Sequence, residues 1–527
     1  MSTATVGNSG ESSAALDRRR AALASLRPAE PFDALIVGGG IVGAGVARDA
    51  AMRGLRVAIV DQHDFAFGTS SRSSRLLHGG LRYLAQGRVA LVREASLEKR
   101  VVTRIAPHLS QPLAFVFPAY NDAQVPLWKL RIGVHLYDLL CSGRNLGRAS
   151  SLKPAATAAK LPGIDIDGLT GAVRYYDALT NDARLVLDTL SSAARAGASL
   201  VNYVRLEHPE HADGLWTCTV RDTLHPNGES SEVRARMVVN AAGPWADLLK
   251  HSRVKLRRTK GVHIVINRSR LPVQDAVVLT EGSRILFVIP WGDRVILGTT
   301  DTDFAGLAED VRTDREDIDY ILRVTDEVFP GAHLTDADVI SYWAGLRPLI
   351  ASADGKPSDI SRSHEIRRPR EAWLDVAGGK LTTYRLMGEQ AVDRIVDELK
   401  AQKRVKHCRT GDEPLLPPGD PALSFSGVVP PPVSREAVEH YCEREWAQHL
   451  DDVMLRRSSW GYYEPDLTGI AERVAGWMAE RLGWDAARVT QEMARFAAVP
   501  VRPAQAPTTV AETIRAATTE PPTPAVA

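Results

Sequence analysis

Three glycines near the start of the chain have the spacing of a nucleotide-binding turn. Gly38, Gly40 and Gly43 form G-x-G-x-x-G between a strand-like run at residues 32–37 and a helical stretch that ends near residue 53. A second strand-like run, residues 55–60, ends at Asp61 and completes a βαβ pattern. In such a unit Gly38 permits the tight turn, Gly40 lets backbone approach a pyrophosphate, and Gly43 lets helix pack on strand. The pattern predicts dinucleotide binding with Asp61 on the ribose hydroxyls, which disfavours NADP; a purely structural glycine turn is the alternative.

A hydroxyl-rich stretch at residues 69–83 indicates which dinucleotide binds. It offers hydrogen-bond donors to phosphate, and the paired Gly79 and Gly80 leave room for a flat ring against the backbone. NAD proteins need no such second loop, so the stretch favours a flavin; a serine-rich surface loop is the alternative. The predicted cofactor contacts here are Thr69, Ser70, Ser71, Ser74, His78, Gly79 and Gly80.

Two later segments are also predicted to contact the cofactor. Residues 238–245 form a strand-like run that ends in a turn of small residues, where backbone can pass close to a cofactor. Residues 373–376 form another strand-like run, and Gly378 and Gly379 then lead into a helix predicted to start near Leu381. The positive N-terminus of that helix would stabilise the negative charge of a reduced flavin. The predicted cofactor contacts are Ala242, Gly243, Trp245, Gly379, Lys380, Leu381 and Thr382, with Val204 added from the segment before them.

Composition excludes several other classes of protein. The chain has 65 Lys and Arg against 64 Asp and Glu, a net charge of +1, so no overall field would hold it on nucleic acid. Its four cysteines form no CxxC pair, so neither a zinc site nor an iron-sulfur cluster is expected. Residues 163–168 resemble part of a calcium loop but lack its terminal carboxylates, and no metal site is predicted. A reduced, intracellular compartment fits best.

Hydropathy predicts no transmembrane helix. The longest charge-free apolar run, residues 34–47, has 14 residues with five glycines and is too short to span a bilayer. The N-terminal residues show no secretory signal, so a cytoplasmic location is expected. Residues 128–140 combine large apolar groups with Lys129 and Arg131; they are a candidate interfacial surface, although an ordinary core helix is the favoured interpretation.

The 527 residues are enough for three or four structural units at roughly 150 residues each. Residues 1–30 are predicted to be a mobile leader, with a surface-binding amphipathic segment as the alternative. Prolines mark a linker at residues 401–432, and helical spacing predicts an all-helical unit at residues 433–499. The composition of residues 500–527 predicts a disordered tail.

Three separated motifs resemble those of a known family. They are Ser73-Ser74-Arg75-Leu76-Leu77-His78-Gly79-Gly80-Leu81-Arg82-Tyr83-Leu84, Gly345-Leu346-Arg347-Pro348-Leu349 and Gly378-Gly379-Lys380-Leu381-Thr382-Thr383-Tyr384-Arg385. Over about residues 31–500 the chain resembles the FAD-dependent, respiratory glycerol-3-phosphate dehydrogenases. The resemblance implies an α/β fold with a glutathione-reductase-like FAD-binding domain made of residues 31–105, 170–250 and 345–400. A substrate domain with an antiparallel sheet, residues 106–169 and 251–344, would be inserted into it, and an all-helical C-terminal domain would follow.

The resemblance also implies a reaction and partners. The flavoprotein would oxidise sn-glycerol 3-phosphate to dihydroxyacetone phosphate by hydride transfer to FAD and pass the electrons to a membrane quinone. Peripheral attachment to the cytoplasmic face of the plasma membrane is implied, and a homodimer is left open. The alternatives are a glycerol-3-phosphate oxidase that uses oxygen, another FAD oxidoreductase of this fold that acts on an amine or a 2-hydroxy acid, and a non-catalytic nucleotide-binding scaffold.

Such a reaction needs cations for the phosphate and a base for the hydroxyl proton. His78 is the favoured base because the following glycines bring backbone to the ring; His263 is the rival, and a structural role for His78 is the alternative. Lys380 is expected to contact the flavin or polarise the substrate oxygen. The predicted substrate-binding residues are Arg82, Tyr83, Arg347 and Arg362, and Arg347 is also counted among the catalytic residues.

Overall fold

Two β-sheets and a C-terminal helical unit make up the structure, a computed structural model that describes residues 17–84, 86–122, 125–141, 143, 145–224, 228–282, 284–351, 364–399 and 405–502. The strands are β1 (Phe32–Val37), β2 (Val57–Val60), β3 (Leu76–Leu77), β4 (Gln111–Tyr120), β5 (Ser150–Leu152), β6 (Leu169–Leu179), β7 (Ser199–Val201), β8 (Val204–Ala212), β9 (Leu215–Asp222), β10 (Ser230–Asn240), β11 (Leu256–Asn267), β12 (Ala276–Glu281), β13 (Arg284–Trp291), β14 (Arg294–Gly298), β15 (Thr302–Asp303), β16 (Val339–Ile350), β17 (His364–Arg370) and β18 (Trp373–Gly378). The helices are α1 (Ile41–Met52), α2 (Val89–Ile105), α3 (Leu127–Leu140), α4 (Pro154–Lys160), α5 (Asp182–Arg195), α6 (Arg315–Val328), α7 (Tyr384–Leu399), α8 (Arg435–Arg444), α9 (Trp460–Tyr463), α10 (Leu467–Leu482) and α11 (Ala486–Ala497).

Sheet one is built around β1, all of whose residues are buried. Its described strands lie in the order β17-β18-β10-β1-β2-β7, with β9 on β10 and β8 on β9. Strand β1 runs parallel to β10 and β2, and β18 and β7 continue the parallel pairing outward. A fully buried strand of this kind needs cover on both faces, and α1 lies against β1 while packing between α5 and α7. This arrangement confirms the predicted α/β FAD-binding fold.

Sheet two is mainly antiparallel, in the order β15-β11-β14-β13-β12-β4-β6-β3, with β16 beside β11 and β5 beside β6. It is the inserted sheet that the resemblance implies, but the expected domain boundaries need correction. Strand β6 pairs with β4, and β16 pairs with β11 along its length. The predicted ends at residues 169 and 344 therefore come too early, because both strands hydrogen-bond within sheet two.

The C-terminal unit is helical, as predicted, and consists of α8 to α11 with a π-helical turn at Asp452–Arg457. Its Trp460 is fully buried in one apolar cluster with Trp291 and Trp343 of sheet two. The unit therefore shares a core with the sheet beside it.

The segments before β1 and before α8 are packed against the rest of the chain. Residues 17–24 are helical, Leu26 is fully buried, and the Arg19 guanidinium pairs with Asp222 at 2.9 Å. In the expected linker, Leu415 is fully buried and the Thr410 carbonyl accepts a hydrogen bond from Arg48 at 2.9 Å. Residues 17–30 and 405–432 thus differ from the predicted mobile leader and linker. The tail predicted from residue 500 lies outside the described residues from residue 503 onward.

Helix α3 carries a row of exposed apolar side chains. Trp128, Ile132, Leu136 and Leu139 are 58%, 61%, 38% and 70% exposed, so α3 is not the ordinary core helix that the sequence favours. Among the described residues, no helix is both long and apolar enough to cross a membrane. The same residues contain no cluster of three or more His, Cys, Asp or Glu side chains suited to a metal ion.

Candidate active site

A cavity follows the carboxyl ends of β1, β2, β10 and β18, the edge of a parallel sheet where ligands usually bind. It holds about 1340 Å³ of space, open mouth included. Many of the predicted cofactor contacts line it, namely Gly38, Gly40, Asp61, Thr69, Ser70, Val204, Ala242, Gly243, Trp245, Gly379, Lys380 and Leu381. Seven others do not line it, namely Gly43, Ser71, Ser74, His78, Gly79, Gly80 and Thr382.

The glycine turn after β1 forms one end of the cavity. Gly38 has a φ of +110°, and a Cβ on it would lie 2.5 Å from the Ala241 carbonyl oxygen. A Cβ on Gly43 would lie 1.9 Å from the Gly38 carbonyl oxygen, so this glycine serves close packing of α1 on β1 and not ligand contact. Helix α1 begins at Ile41, whose N–H donates to Ser70 Oγ at 3.0 Å. The positive end of α1 therefore faces the cavity beside a serine hydroxyl, an arrangement suited to phosphate.

Asp61 lies next to this turn, at the end of β2. Its carboxylate accepts the N–H of Gly39 at 2.7 Å and the N–H of His63 at 2.9 Å. Burial raises the pKa of Asp61 to about 7, although both backbone hydrogen bonds favour the ionised form. An acid held in this way can accept further hydrogen bonds from ribose hydroxyls.

The opposite end of the cavity is formed where β18 leads into α7. Gly378 and Gly379 have φ values of +71° and +80°, and the 3-10 turn Leu381–Thr383 precedes the helix predicted to start there. Lys380 Nζ lies 4.0 Å from the centre of the Tyr83 ring, and Arg82 lies 5.7 Å from the same ring. The structure therefore brings three of the predicted catalytic and substrate-binding residues, Lys380, Tyr83 and Arg82, to one corner.

Backbone contacts fix the segment that carries His78. The His78 N–H donates to Thr382 Oγ1 at 3.0 Å, and that hydroxyl donates to the His78 carbonyl at 3.2 Å. The next residue, Gly79, donates its N–H to the Tyr137 hydroxyl at 2.7 Å, and Tyr137 donates to Asp177 at 2.5 Å. Tyr137 belongs to α3, far from Gly79 in sequence, so nothing in the sequence pattern identifies this support.

His263 and Arg347 lie together on the neighbouring strands β11 and β16. His263 Nε2 is 2.8 Å from Ser74 Oγ, and its ring stacks on Trp343 with centres 5.2 Å apart. Burial, aided by the charges of Arg347 and Arg75, lowers the pKa of His263 to about 3, so the ring is neutral at physiological pH. The Arg347 guanidinium is 27% exposed and donates to Thr299 Oγ1 at 3.0 Å and Asp301 at 3.1 Å.

Sequence reasoning missed several residues of the site. His63 and Phe67 line the cavity and stack with ring centres 4.2 Å apart; their position just after Asp61 could have indicated this. Arg75, only 1% exposed, lies 4.5 Å from the Trp291 ring and 5.2 Å from the Trp343 ring that supports His263. Arg362, which the sequence predicts to bind substrate, lies outside the described residues.

Comparison with known proteins defines the class. A family model described as FAD dependent oxidoreductase matches residues 33–394, and one described as the C-terminal domain of alpha-glycerophosphate oxidase matches residues 420–489. The fold and the cavity are thus those of an FAD-dependent oxidoreductase.

The relatives narrow this class. An aerobic glycerol-3-phosphate dehydrogenase of Staphylococcus aureus is 38% identical over 378 residues, which cover 70% of this chain and 68% of the relative. A glycerol-3-phosphate dehydrogenase from Bacillus halodurans, solved with FAD, is similar at a TM-score of 0.73 and 28% identity, over 91% of this chain and 96% of that one. The chain belongs to the FAD-dependent glycerol-3-phosphate dehydrogenase family.

A further solved structure shares the fold. An L-alpha-glycerophosphate oxidase from Mycoplasma pneumoniae, with FAD bound, is similar at a TM-score of 0.59 and 18% identity, over 74% of this chain and 99% of that one.

The residues of this chain fit FAD. The glycine turn and the N-terminus of α1 suit the pyrophosphate, Asp61 suits the ribose, and the two positive-φ glycines at the end of β18 leave backbone open at the far end. The enzyme is an FAD-dependent oxidoreductase.

Proposed function

We propose that the enzyme oxidises sn-glycerol 3-phosphate to dihydroxyacetone phosphate and passes the electrons to a membrane quinone. The observation that carries the proposal is the pairing of a neutral, buried His263 with the partly exposed guanidinium of Arg347. A small phosphorylated alcohol needs this combination of a proton acceptor and a phosphate-binding cation in one site.

FAD, when bound, supplies a two-electron acceptor for the hydride on C2 of the substrate. The chain must then hold the phosphate and take the hydroxyl proton. Arg347 offers a planar pair of donors for phosphate, with Arg82 as a second cation beside Tyr83. Ser74 Oγ lies 2.8 Å from His263 Nε2, so a hydroxyl can hydrogen-bond this ring nitrogen, and in the proposed reaction the substrate hydroxyl takes that position. We therefore favour His263 as the base over His78.

Lys380 extends this site toward the cofactor cavity. It lines the cavity and sits over the Tyr83 ring, so its ammonium group can stabilise negative charge on the substrate oxygen as the proton leaves. Arg362 remains a predicted phosphate ligand.

Anaerobic titration of the purified holoenzyme tests the reaction. Addition of sn-glycerol 3-phosphate should bleach the flavin absorbance, whereas glycine, proline and lactate, which represent the amine and 2-hydroxy-acid alternatives, should not. Bleaching by one of these instead of glycerol 3-phosphate would overturn the proposal. Re-oxidation of the bleached enzyme is then followed with a soluble ubiquinone analogue and, separately, with oxygen.

An oxygen-using oxidase is the second candidate function. The match of residues 420–489 to the C-terminal domain of alpha-glycerophosphate oxidase favours it. Formation of stoichiometric hydrogen peroxide, together with slow re-oxidation by the quinone analogue, would mean that the enzyme is an oxidase and not a dehydrogenase.

A quinone acceptor requires access to a membrane surface, and α3 has an exposed face suited to it. Its exposed apolar row, Trp128, Ile132, Leu136 and Leu139, shares the outer side of the helix with Lys129 and Arg131. Apolar groups that can enter the headgroup region, flanked by cations that attract anionic lipid, are typical of an interfacial helix. We place this helix on the cytoplasmic leaflet.

Flotation with vesicles tests this placement. The wild-type enzyme should float with vesicles rich in phosphatidylglycerol and much less with phosphatidylcholine vesicles. Ile132→Ser with Leu139→Ser should abolish flotation, whereas Leu307→Ser, at a side chain that is 69% exposed elsewhere, should not. Equal flotation of all three proteins would exclude α3 as the membrane contact.

A further inference from the structure

The C-terminal helical unit reaches the wall of the cofactor cavity through buried charges. Asp64, fully buried, accepts hydrogen bonds from Arg456 Nε at 2.5 Å and from Arg457 Nη2 at 2.9 Å. Both arginines belong to the π-helical turn Asp452–Arg457. Although burial opposes it, the two guanidinium charges hold the pKa of Asp64 below its usual value, so the carboxylate is ionised.

Asp64 lies in the loop that forms the adenosine side of the cavity. Asp61, three residues earlier, is the predicted ribose ligand, and His63 and Phe67 on either side of Asp64 line the cavity. Ala66 donates its N–H to the carbonyl of Gly39 at 3.0 Å, which links the loop to the glycine turn. A displacement of Asp64 therefore shifts both the ribose acid and the turn that faces the pyrophosphate.

The same C-terminal segment also holds the opposite wall. The Tyr203 hydroxyl donates to Asp452 at 2.6 Å, and the Asn202 amide bridges Asp64 at 2.9 Å and the Trp446 carbonyl at 2.8 Å. Val204, which follows directly, lines the cavity and donates its N–H to the Asp61 carbonyl. One short segment of the C-terminal unit thus contacts both chain segments that enclose the adenosine end.

The contact contains equal numbers of acidic and basic side chains. Asp64, Asp451 and Asp452 face Arg456, Arg457 and the half-exposed Arg495, which pairs with Asp451 at 2.9 Å. Because five of these six groups are buried, loss of one partner leaves another charge without compensation, and the loop must then move or admit water.

We propose that the π-helical turn Asp452–Arg457 is a positioning element for the adenosine end of FAD, and that Arg457 is its principal positioning residue. The inference rests on FAD binding in this cavity and not on which substrate is oxidised or which acceptor is used. The C-terminal unit would then act in cofactor retention as well as in the shared core.

Release of FAD on dilution of the holoenzyme, followed by the fluorescence of free FAD, tests the proposal. Arg457→Gln should release FAD on the order of ten- to a hundredfold faster than the wild type, the range of ordinary coupling between two sites. The matched control is Arg294→Gln. Arg294 is also buried and donates to the Tyr463 carbonyl of the C-terminal unit at 2.8 Å, but it does so from β14 of sheet two and not from the adenosine loop. This control should lower the unfolding temperature and release FAD near the wild-type rate. Equal release from both variants, or wild-type release from Arg457→Gln, would refute the positioning role.

A milder pair of variants serves if Arg457→Gln does not fold. Tyr203→Phe removes one hydroxyl bond to Asp452 on the adenosine side, and Tyr463→Phe removes one bond, from the Asp293 N–H at 2.8 Å, on the side of sheet two. Only Tyr203→Phe should accelerate FAD release; acceleration by both or by neither contradicts the proposal.

Hydrogen exchange of the wild-type protein gives a readout that needs no variant. Because coupling is reciprocal, bound FAD should slow amide exchange in residues 445–457 several-fold relative to the FAD-depleted protein. Exchange in α10, which does not touch the adenosine loop through these contacts, should change little. No FAD-dependent protection of residues 445–457 would overturn the inference.

Discussion

Replacement of Asp61 by Asn should make the FAD-free protein more stable at pH 8 and its FAD binding weaker. Burial raises the pKa of Asp61 from 3.8 to about 7 in the structure. Between these two pH values the folded protein keeps a proton that the unfolded chain has lost, so stability from this group falls as the pH rises and is lost at about pH 7. At 1.36 kcal/mol per pH unit, the ionised side chain costs the folded protein at most about 4 kcal/mol above that pH. Asparagine carries no such cost.

FAD should reverse this balance. Ribose hydroxyls that donate to the carboxylate favour its ionised form, so FAD binding lowers the pKa of Asp61 and releases a proton. The affinity of the FAD-free protein for FAD should therefore rise with pH, by up to about tenfold per pH unit, and level off near pH 7. The Asp61→Asn variant should bind FAD more weakly at pH 8, with an affinity that does not depend on pH over this range.

Two measurements on the same samples check the direction of the change in FAD affinity and in stability. FAD titration, followed by quenching of FAD fluorescence between about pH 5.5 and 8.5, gives the affinity, and thermal unfolding of the FAD-free protein gives the stability. Asp49→Asn is the matched control, because burial also raises the pKa of Asp49 but this residue lies within α1 and does not line the cavity. It should leave the pH dependence of FAD binding intact. A flat affinity profile in the wild type, or wild-type affinity in Asp61→Asn at pH 8, would refute the reasoning.

Three further outcomes are expected at the substrate side. Arg347→Ala should raise KM for glycerol 3-phosphate by on the order of tenfold to a hundredfold, because a hydrogen bond to a charged group is lost, and should change KM for glycerol little. The control is Arg257→Ala, whose guanidinium pairs with Asp303; it should leave both KM values unchanged. With FAD retained, His263→Asn should lower kcat by roughly 10² to 10⁴, whereas a loss confined to His78→Asn would return the base to His78. Tyr137→Phe should lower the free energy of unfolding by about 1–3 kcal/mol, because buried groups are left unpaired, and should also lower kcat. Denaturant unfolding measures the first effect; a loss of stability without a change in kcat would mean that the role of Tyr137 is structural alone.

The sequence predicts best what is local. The turn from β1 through α1 to Asp61 follows from glycine spacing and a short, mainly apolar strand on each side, and the structure places Gly38, Gly40 and Asp61 at one cavity edge. The Gly378–Lys380 turn is likewise set by neighbouring residues. Both are decided within about 30 residues, where backbone geometry leaves few choices.

Long-range pairing explains most of what the sequence does not predict. Strand β6 continues without a break toward α5, so composition gives no sign that it pairs with β4 in sheet two. The packing of residues 405–432 depends on Arg48 of α1, more than 350 residues earlier, which donates to two of their carbonyl groups. From sequence alone, a proline-rich segment is predicted to be a linker when the residues that it packs against lie elsewhere in the chain.

Arg75 shows that a recognisable motif does not by itself assign a role to each residue. An arginine among serines, next to a predicted phosphate loop, suggests an anion ligand, yet its guanidinium is buried among aromatic rings and donates to Ser459 of the C-terminal unit at 3.2 Å. Its charge faces Trp343, and Trp343 in turn stacks on His263. A fixed positive charge behind that ring disfavours protonation of the imidazole. The motif arginine thus keeps the candidate base unprotonated from a position outside the cavity lining, and only the packing of the C-terminal unit against sheet two makes that arrangement visible.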